Sequence, residues 1–278
     1  MTSTHFLRRA WLTLWLVMLA AGASAQTEKK AFEPHVGQEG KDVIWVPTPE
    51  GLIDKMLNMS QVTANDYVID LGSGDGRTVI AAARRGARAL GIEYNPDMVE
   101  LSLRSAEKAG VTDKAKFIKA DIFESDYSQA TVITMYLLPS INVKLRPKLL
   151  DLKPGTRIVS HAFTMDDWTA DQTESFDGRT AYLWIVPAKV EGTWQLAQGT
   201  LSLAQNFQMV TGTFSSGGSN LPITNGRVRG EQFTFSAGNS EYTGRVNGNG
   251  IEGTMKGAGA GSWNATRVNG KPPAAMAK

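Results

Sequence analysis

Three glycines fall within five positions at Gly72-Ser73-Gly74-Asp75-Gly76, directly after a short apolar run that ends in Asp70-Leu71. Glycine carries no Cβ, so a backbone rich in it can approach a ligand closely and can turn through left-handed conformations. A stretch with apolar Val79, Ile80 and Ala83 follows at 78–85 and reads as a helix. A glycine loop that opens a helix presents free backbone N–H groups, which favour acceptor or anionic groups on a ligand. The spacing is not the dinucleotide G-x-G-x-x-G, which would need glycine where Arg77 stands, and the ligand need not carry a pyrophosphate.

Carboxylates recur at matching places. Glu93 ends a second apolar run about twenty residues beyond the loop, where an acidic side chain can accept both hydroxyl protons of a ribose. Asp121 ends a third run and is followed by Ile122. With Asp70 they form three carboxylates converging on one sheet edge, where ligands of open α/β sheets bind. Asp70, Gly72, Ser73, Gly74, Gly76, Glu93, Asp121 and Ile122 are therefore the candidate ligand site. Two further side chains lie at or near strand ends on the same edge. Tyr136 suits either a pocket wall or core packing, and His161 either proton transfer or a satisfied strand position. Trp168, beside Asp166-Asp167, suits either a substrate wall or a surface anchor. No metal-ligand spacing is visible.

The elements that must position these residues alternate. Strands are predicted over 67–71, 89–94, 115–120, 130–136 and 156–163, with helices over 78–85, 96–109 and 140–152. The second helix is punctuated by Asn95 as cap, Pro96 at its first position and Gly110 past its end. Strands separated by helices imply parallel βαβ units, hence a doubly wound α/β sheet. Two more strands flank Asp177-Gly178, a hairpin signal. Beyond Pro187 the helical period disappears. Glycine-punctuated runs at 200–205, 210–214, 226–230, 232–236, 242–246, 251–255 and 263–268 predict a small antiparallel β-sandwich or barrel. The expected organisation is a signal peptide over 1–25, a flexible lead-in over 26–42, an α/β domain over 43–187, an all-β domain over 188–270 and a disordered tail over 271–278.

Composition is that of a globular chain: 278 residues, 42% hydrophobic and 20% charged. Arg8-Arg9, an apolar run from 10 to 22 and Ala23-Ser24-Ala25 have the order of a secretory signal, with an apolar run too short to span a bilayer comfortably. Export to the periplasm or beyond is the expectation, with no stable membrane span once the signal is removed. Without Arg8 and Arg9 the chain holds 27 basic and 27 acidic residues, so the basic excess of a nucleic-acid binder is missing. The chain has no cysteine, which excludes disulfides and thiolate metal sites. Residues 188–278 carry 8 basic and 4 acidic groups, and residues 26–187 carry 19 and 23, opposite excesses that would help the parts dock.

The loop and the acids at 70, 93 and 121 resemble the first three cofactor motifs of class I, Rossmann-like S-adenosylmethionine-dependent methyltransferases, over about 65–125. The likeness implies S-adenosyl-L-methionine as cofactor, with Glu93 on the ribose, Asp121 on the adenine amino group, and Gly72, Gly74 and Asp70 around the methionine portion. Val46-Pro-Thr-Pro49, together with the run from Asp70 to Arg77, is similar to the seven-strand lysine methyltransferases that modify the c-type ring protein of mitochondrial ATP synthase and related carriers, over roughly 43–187. Met135-Tyr-Leu-Leu-Pro139 stands where that family lines its substrate pocket. The resemblance makes a protein lysine a candidate methyl acceptor, with Tyr136 and His161 as candidates to assist its deprotonation. Methyl transfer from a sulfonium mainly requires alignment of nucleophile, methyl and sulfur. Export leaves a second reading open, a nucleoside-binding protein that keeps this fold without turnover, and fold alone also leaves room for another nucleotide-using enzyme.

Overall fold

The structure, a computed structural model, describes residues 32–268. The expected signal peptide, the first residues of the lead-in and the C-terminal tail lie outside the described residues. Helix α1 (Glu50–Met59) precedes an alternating series: β1 (Tyr67–Leu71), α2 (Arg77–Arg84), β2 (Arg88–Glu93), α3 (Pro96–Lys108), β3 (Ala115–Lys119), β4 (Val132–Met135), α4 (Pro139–Leu150) and β5 (Arg157–His161). Strands β6 (Gln172–Phe176) and β7 (Arg179–Ile185) complete a seven-stranded sheet of order β3-β2-β1-β4-β5-β7-β6. The first five strands run parallel, while β7 is antiparallel to β5 and β6 antiparallel to β7.

Local chemistry explains these elements. Asn95 Oδ1 accepts the Asp97 N–H at 2.9 Å and caps α3, with Pro96 supplying a pre-set φ at the first turn. Asp177 and Gly178 both take positive φ, 47° and 70°, the backbone that matches the twist of a tight hairpin. Along β1 and β4, Ile69, Leu71, Ile133 and Met135 join the core cluster shared with α4, whereas Val68 and Val132 face the layer of α1 and α2. The central parallel strands are thus buried on both faces, as the middle of a parallel sheet must be. Strand order reverses between β1 and β4, which opens a crevice beyond their carboxyl ends.

The second half is a closed barrel of eight strands: β8 (Gly192–Leu196), β9 (Gly199–Asn206), β10 (Met209–Ser216), β11 (Ser219–Arg229), β12 (Gln232–Ala237), β13 (Ser240–Asn247), β14 (Gly250–Lys256) and β15 (Gly261–Arg267). Of the two expected architectures, sandwich or barrel, β15 pairing with β8 makes it the barrel. Period-2 alternation did not reveal β8 or the first half of β11. Side chains fill the interior, among them Trp194, Leu201, Phe233, Tyr242 and Trp263. Glycine makes room for them: a Cβ on Gly244 would lie 2.7 Å from the Trp263 ring. Arg267 closes one end, its guanidinium 4.1 Å from the Trp194 ring centroid and donating to the Glu191 and Lys189 carbonyls.

That end faces the α/β sheet. Phe207 stacks on Trp168 with centroids 5.8 Å apart, Arg227 pairs with Asp171 at 2.5 Å, Lys189 pairs with Asp151 at 2.7 Å, and Gln208 donates to the Thr169 carbonyl. Trp168 is neither a substrate wall nor a surface anchor, being fully buried under Phe207 and Trp184. Gly230 lies against Gly155, which precedes β5, and near Ile185, which ends the antiparallel β7. Both mark the sheet end opposite the crevice, so the barrel leaves the crevice open.

Candidate active site

Beyond Leu71 the chain turns through Gly72, Gly74 and Gly76 with φ of 74°, 54° and 81°, values that disfavour any side chain. The turn is anchored by the Gly72 and Ser73 N–H groups, which donate to the Ile92 carbonyl at 2.9 and 3.1 Å. Gly72 and Gly74 line a cleft of about 680 Å³, within the size class of small-molecule sites. Gly76 does not. It caps α2, and its missing side chain makes room for Phe117 and Ser102. Ser73 contributes to the cleft wall, but its buried hydroxyl lies toward Gly91 and has no hydrogen-bond partner among the described residues. Asp75 is fastened to Arg77, whose guanidinium also donates to the Thr48 carbonyl at 3.2 Å and ties the chain before α1 to the loop.

The three strand-end acids line this cleft, as does Ile122. Glu93 accepts the Gly74 N–H through Oε2 and the Asn95 N–H through Oε1, both at 2.9 Å. A carboxylate offers about four acceptor positions, so roughly one on each oxygen remains for a ligand. Asp70 is buried and accepts the Thr134 hydroxyl at 2.6 Å. Burial pushes its carboxyl up to about 7, with the negative charges of Glu93 and Asp75 adding to the effect. Asp121 accepts the Phe123 N–H at 2.9 Å and pairs with the Lys41 ammonium, which holds its carboxyl below the usual range.

Beyond β4, Tyr136, Leu137, Leu138 and Ile141 line the other end of the cleft, with Phe163 stacked beside Tyr136 at 5.9 Å between ring centroids. Phe163 is delivered by a tight turn: its N–H donates to the His161 carbonyl at 2.8 Å around Ala162, whose φ is 64°. Such backbone is strained in a residue with a Cβ and persists where the surroundings enforce it. His161 is not on the cleft wall. It lies behind Tyr136, ring centroids 3.8 Å apart, with Nδ1 3.0 Å from the Thr48 hydroxyl. Burial lowers its imidazole to about 4, aided by the Arg179 charge, so it stays neutral. The structure therefore brings Tyr136 to the site and makes His161 its backing, because β5 directs that side chain beneath the neighbouring aromatic ring. Residues 38–48, partly within the expected flexible lead-in, also line the cleft. Trp45 and Lys41 among them gave no signal in the sequence. Among the described residues no group of three or more histidines and carboxylates could hold a metal ion.

The model of the ANTKMT methyltransferase domain matches residues 70–172, and a DNA methylase model matches 12–104. A protein-lysine N-methyltransferase of Saccharolobus islandicus is 40% identical over 163 residues, which cover 56% of this chain and 97% of that protein. The adenine nucleotide translocase lysine N-methyltransferase of Mus musculus is 30% identical over 158 residues, 56% of this chain and 64% of that protein. An RNA methyltransferase of Salinibacter ruber, solved with S-adenosyl-L-homocysteine, is 50% identical with a TM-score of 0.51, covering 52% of this chain and 96% of that one.

The cleft fits S-adenosylmethionine on its own terms. A Cβ on Gly72 would come within 3.0 Å of Leu137, and one on Gly74 within 2.8 Å of Trp45, so only glycine keeps the cradle open. Acceptors for hydroxyl and amino groups stand along it at Glu93 and Asp121. With this site on a sheet of this strand order, and with a relative matched over nearly its whole length, the chain belongs to the family of S-adenosylmethionine-dependent methyltransferases that includes these lysine N-methyltransferases.

Proposed function

We propose that the enzyme methylates lysine side chains of protein acceptors outside the cytosol. The observation that carries this reading is the 40% identity to an archaeal protein-lysine N-methyltransferase across 97% of that protein. The cofactor supplies an activated methyl group on a sulfonium. In this reading Glu93 binds the two ribose hydroxyls through its free acceptor positions, Asp121 the adenine amino group, and the Gly72–Gly74 backbone and Asp70 the methionine end.

A lysine must lose a proton before its nitrogen can attack. Tyr136, Leu138 and Phe163 form an aromatic and apolar wall at the acceptor end, and removal from water favours the neutral amine. The Tyr136 hydroxyl can hydrogen-bond that amine and direct its lone pair along the cleft. His161 keeps the Tyr136 ring in place from behind.

Nucleic acid is not an acceptor in this proposal. The equal counts of acidic and basic residues without Arg8 and Arg9 support this, since phosphate binding needs basic excess. Export rests on the signal-like first 25 residues. Among the described residues no helix is long and apolar enough to cross a membrane. The test is transfer of radiolabelled methyl groups into separate periplasmic and cytosolic extracts. Nuclease-resistant label that hydrolyses to methyllysine, chiefly from periplasmic protein, is expected. Nuclease-sensitive label would overturn the acceptor class, and a full-length chain retained in the cytosol would overturn the location.

A further inference from the structure

The chain before α1 crosses the cofactor cleft as a small hairpin. Gly37 N–H donates to the Trp45 carbonyl, Trp45 N–H to the Gln38 carbonyl and Gly40 N–H to the Val43 carbonyl, each at 2.9 Å, and Glu39 bridges Ile44 in antiparallel register. Its two ends touch the cleft on either side of β2. At the base, the Trp45 indole lies against Gly74, in the loop after β1. At the tip, the Lys41 ammonium pairs with Asp121, after β3, and lies 4.8 Å from the centroid of the Tyr94 ring. Strands β1 and β3 flank β2, a separation of about 10 Å at ordinary strand spacing. The hairpin therefore passes over the region where β2 delivers Glu93.

We propose that this hairpin is the retaining clasp of the cofactor site, with Trp45 a cofactor-contacting side chain and Lys41 a latch on Asp121 that opens when cofactor enters or leaves. The proposal rests on the cleft being the S-adenosylmethionine site. Trp45 is suited to contact: its indole N–H makes no hydrogen bond among the described residues, and its ring lines the cleft. Lys41 is suited to a latch because its pair with Asp121 is partly exposed, with side chains 35% and 23% accessible. Such pairs are weak and screened by salt, so they can open readily. The ion pair and the contact with Tyr94 together make release slower by roughly fivefold to thirtyfold.

Trp45 also provides the readout. Among the described residues Trp168, Trp184, Trp194 and Trp263 are buried and do not line the cleft, and Trp11 and Trp15 lie outside the described residues, so the part of a fluorescence change that Trp45→Phe removes belongs to Trp45. Calorimetry with S-adenosylhomocysteine on the full chain comes first, and absence of binding there would refute the cofactor site itself. With binding established, stopped-flow fluorescence is recorded for the unsubstituted chain, Trp45→Phe, Lys41→Met and Lys41→Arg at low and high salt. The expected results are a fluorescence change that Trp45→Phe abolishes while calorimetric binding persists, and faster dissociation in Lys41→Met with its salt dependence lost. Lys41→Arg should restore both slow release and salt dependence. A full fluorescence change in Trp45→Phe, or Lys41→Met releasing ligand at the unsubstituted rate and salt dependence, would overturn the clasp.

Discussion

Glu93→Ala should weaken S-adenosylhomocysteine binding by about 2–3 kcal/mol, a loss of roughly 30- to 150-fold. The magnitude follows from the acceptor count. Each carboxylate oxygen already takes one backbone N–H, from Gly74 or Asn95, at 2.9 Å. About one acceptor position per oxygen remains, enough for two ribose hydroxyls, and hydrogen bonds to a charged acceptor contribute about 1.5–3 kcal/mol each. The full sum is not expected, because water replaces part of the lost interaction in the variant. Removing the carboxylate also frees two N–H groups that hold the loop, so thermal unfolding must be measured beside affinity. Glu93→Gln separates the effects. It keeps the shape and one oxygen but turns an NH₂ group toward one of the backbone donors, and it should bind less well than the unsubstituted chain while folding normally. Isothermal calorimetry at fixed pH reads both affinities. A folded Glu93→Ala variant with unchanged affinity would refute the ribose assignment.

Three other outcomes are expected. His161, held near 4 in the folded chain against 6.5 in an unfolded one, lets only the unfolded state take up a proton as pH falls, so its contribution is complete above about 6.5 and lost toward 4. Urea unfolding should show about 2–3 kcal/mol of this loss by pH 4.5, and a His161→Phe variant with the same pH profile would contradict it. Asp70, pushed up to about 7, should ionise between pH 6 and 8 and strengthen binding of the cationic S-adenosylmethionine by about threefold to tenfold, with less effect on the uncharged thioether of S-adenosylhomocysteine. Asp70→Asn should remove that rise, and its persistence would assign the titration elsewhere. Phe207→Ala should lower stability by about 2–4 kcal/mol through loss of the contact with Trp168, yet leave cofactor affinity unchanged, and altered affinity would mean that the barrel reaches the cleft.

Much of the candidate cleft was legible because its determinants are local in the chain. A glycine loop between a strand and a helix, acids at the ends of successive strands, and Asn95-Pro96 at a helix start each act within a few residues of themselves. Their convergence then follows from βαβ handedness, which leaves little choice of topology. The all-β half was legible only as alternation. Alternating side chains specify two faces but not whether the last strand meets the first, and the pairing of β15 with β8 is a matter of register and curvature. Other features depended on chain segments far apart. Lys41 meets Asp121 across 80 positions, and Thr48 meets His161 across 113. No periodicity or spacing encodes such contacts, so the hairpin over the cleft could not be distinguished from a polar leader. The same holds for His161. Its residue type at a strand end announced proton chemistry, but only the packed structure placed Tyr136 between it and the cleft and kept it neutral. The sequence by itself determined the cradle and its acids; tertiary structure decided what covers the cradle and which aromatic side chain faces the acceptor, because those depend on through-space packing between segments whose separation along the chain leaves no local trace.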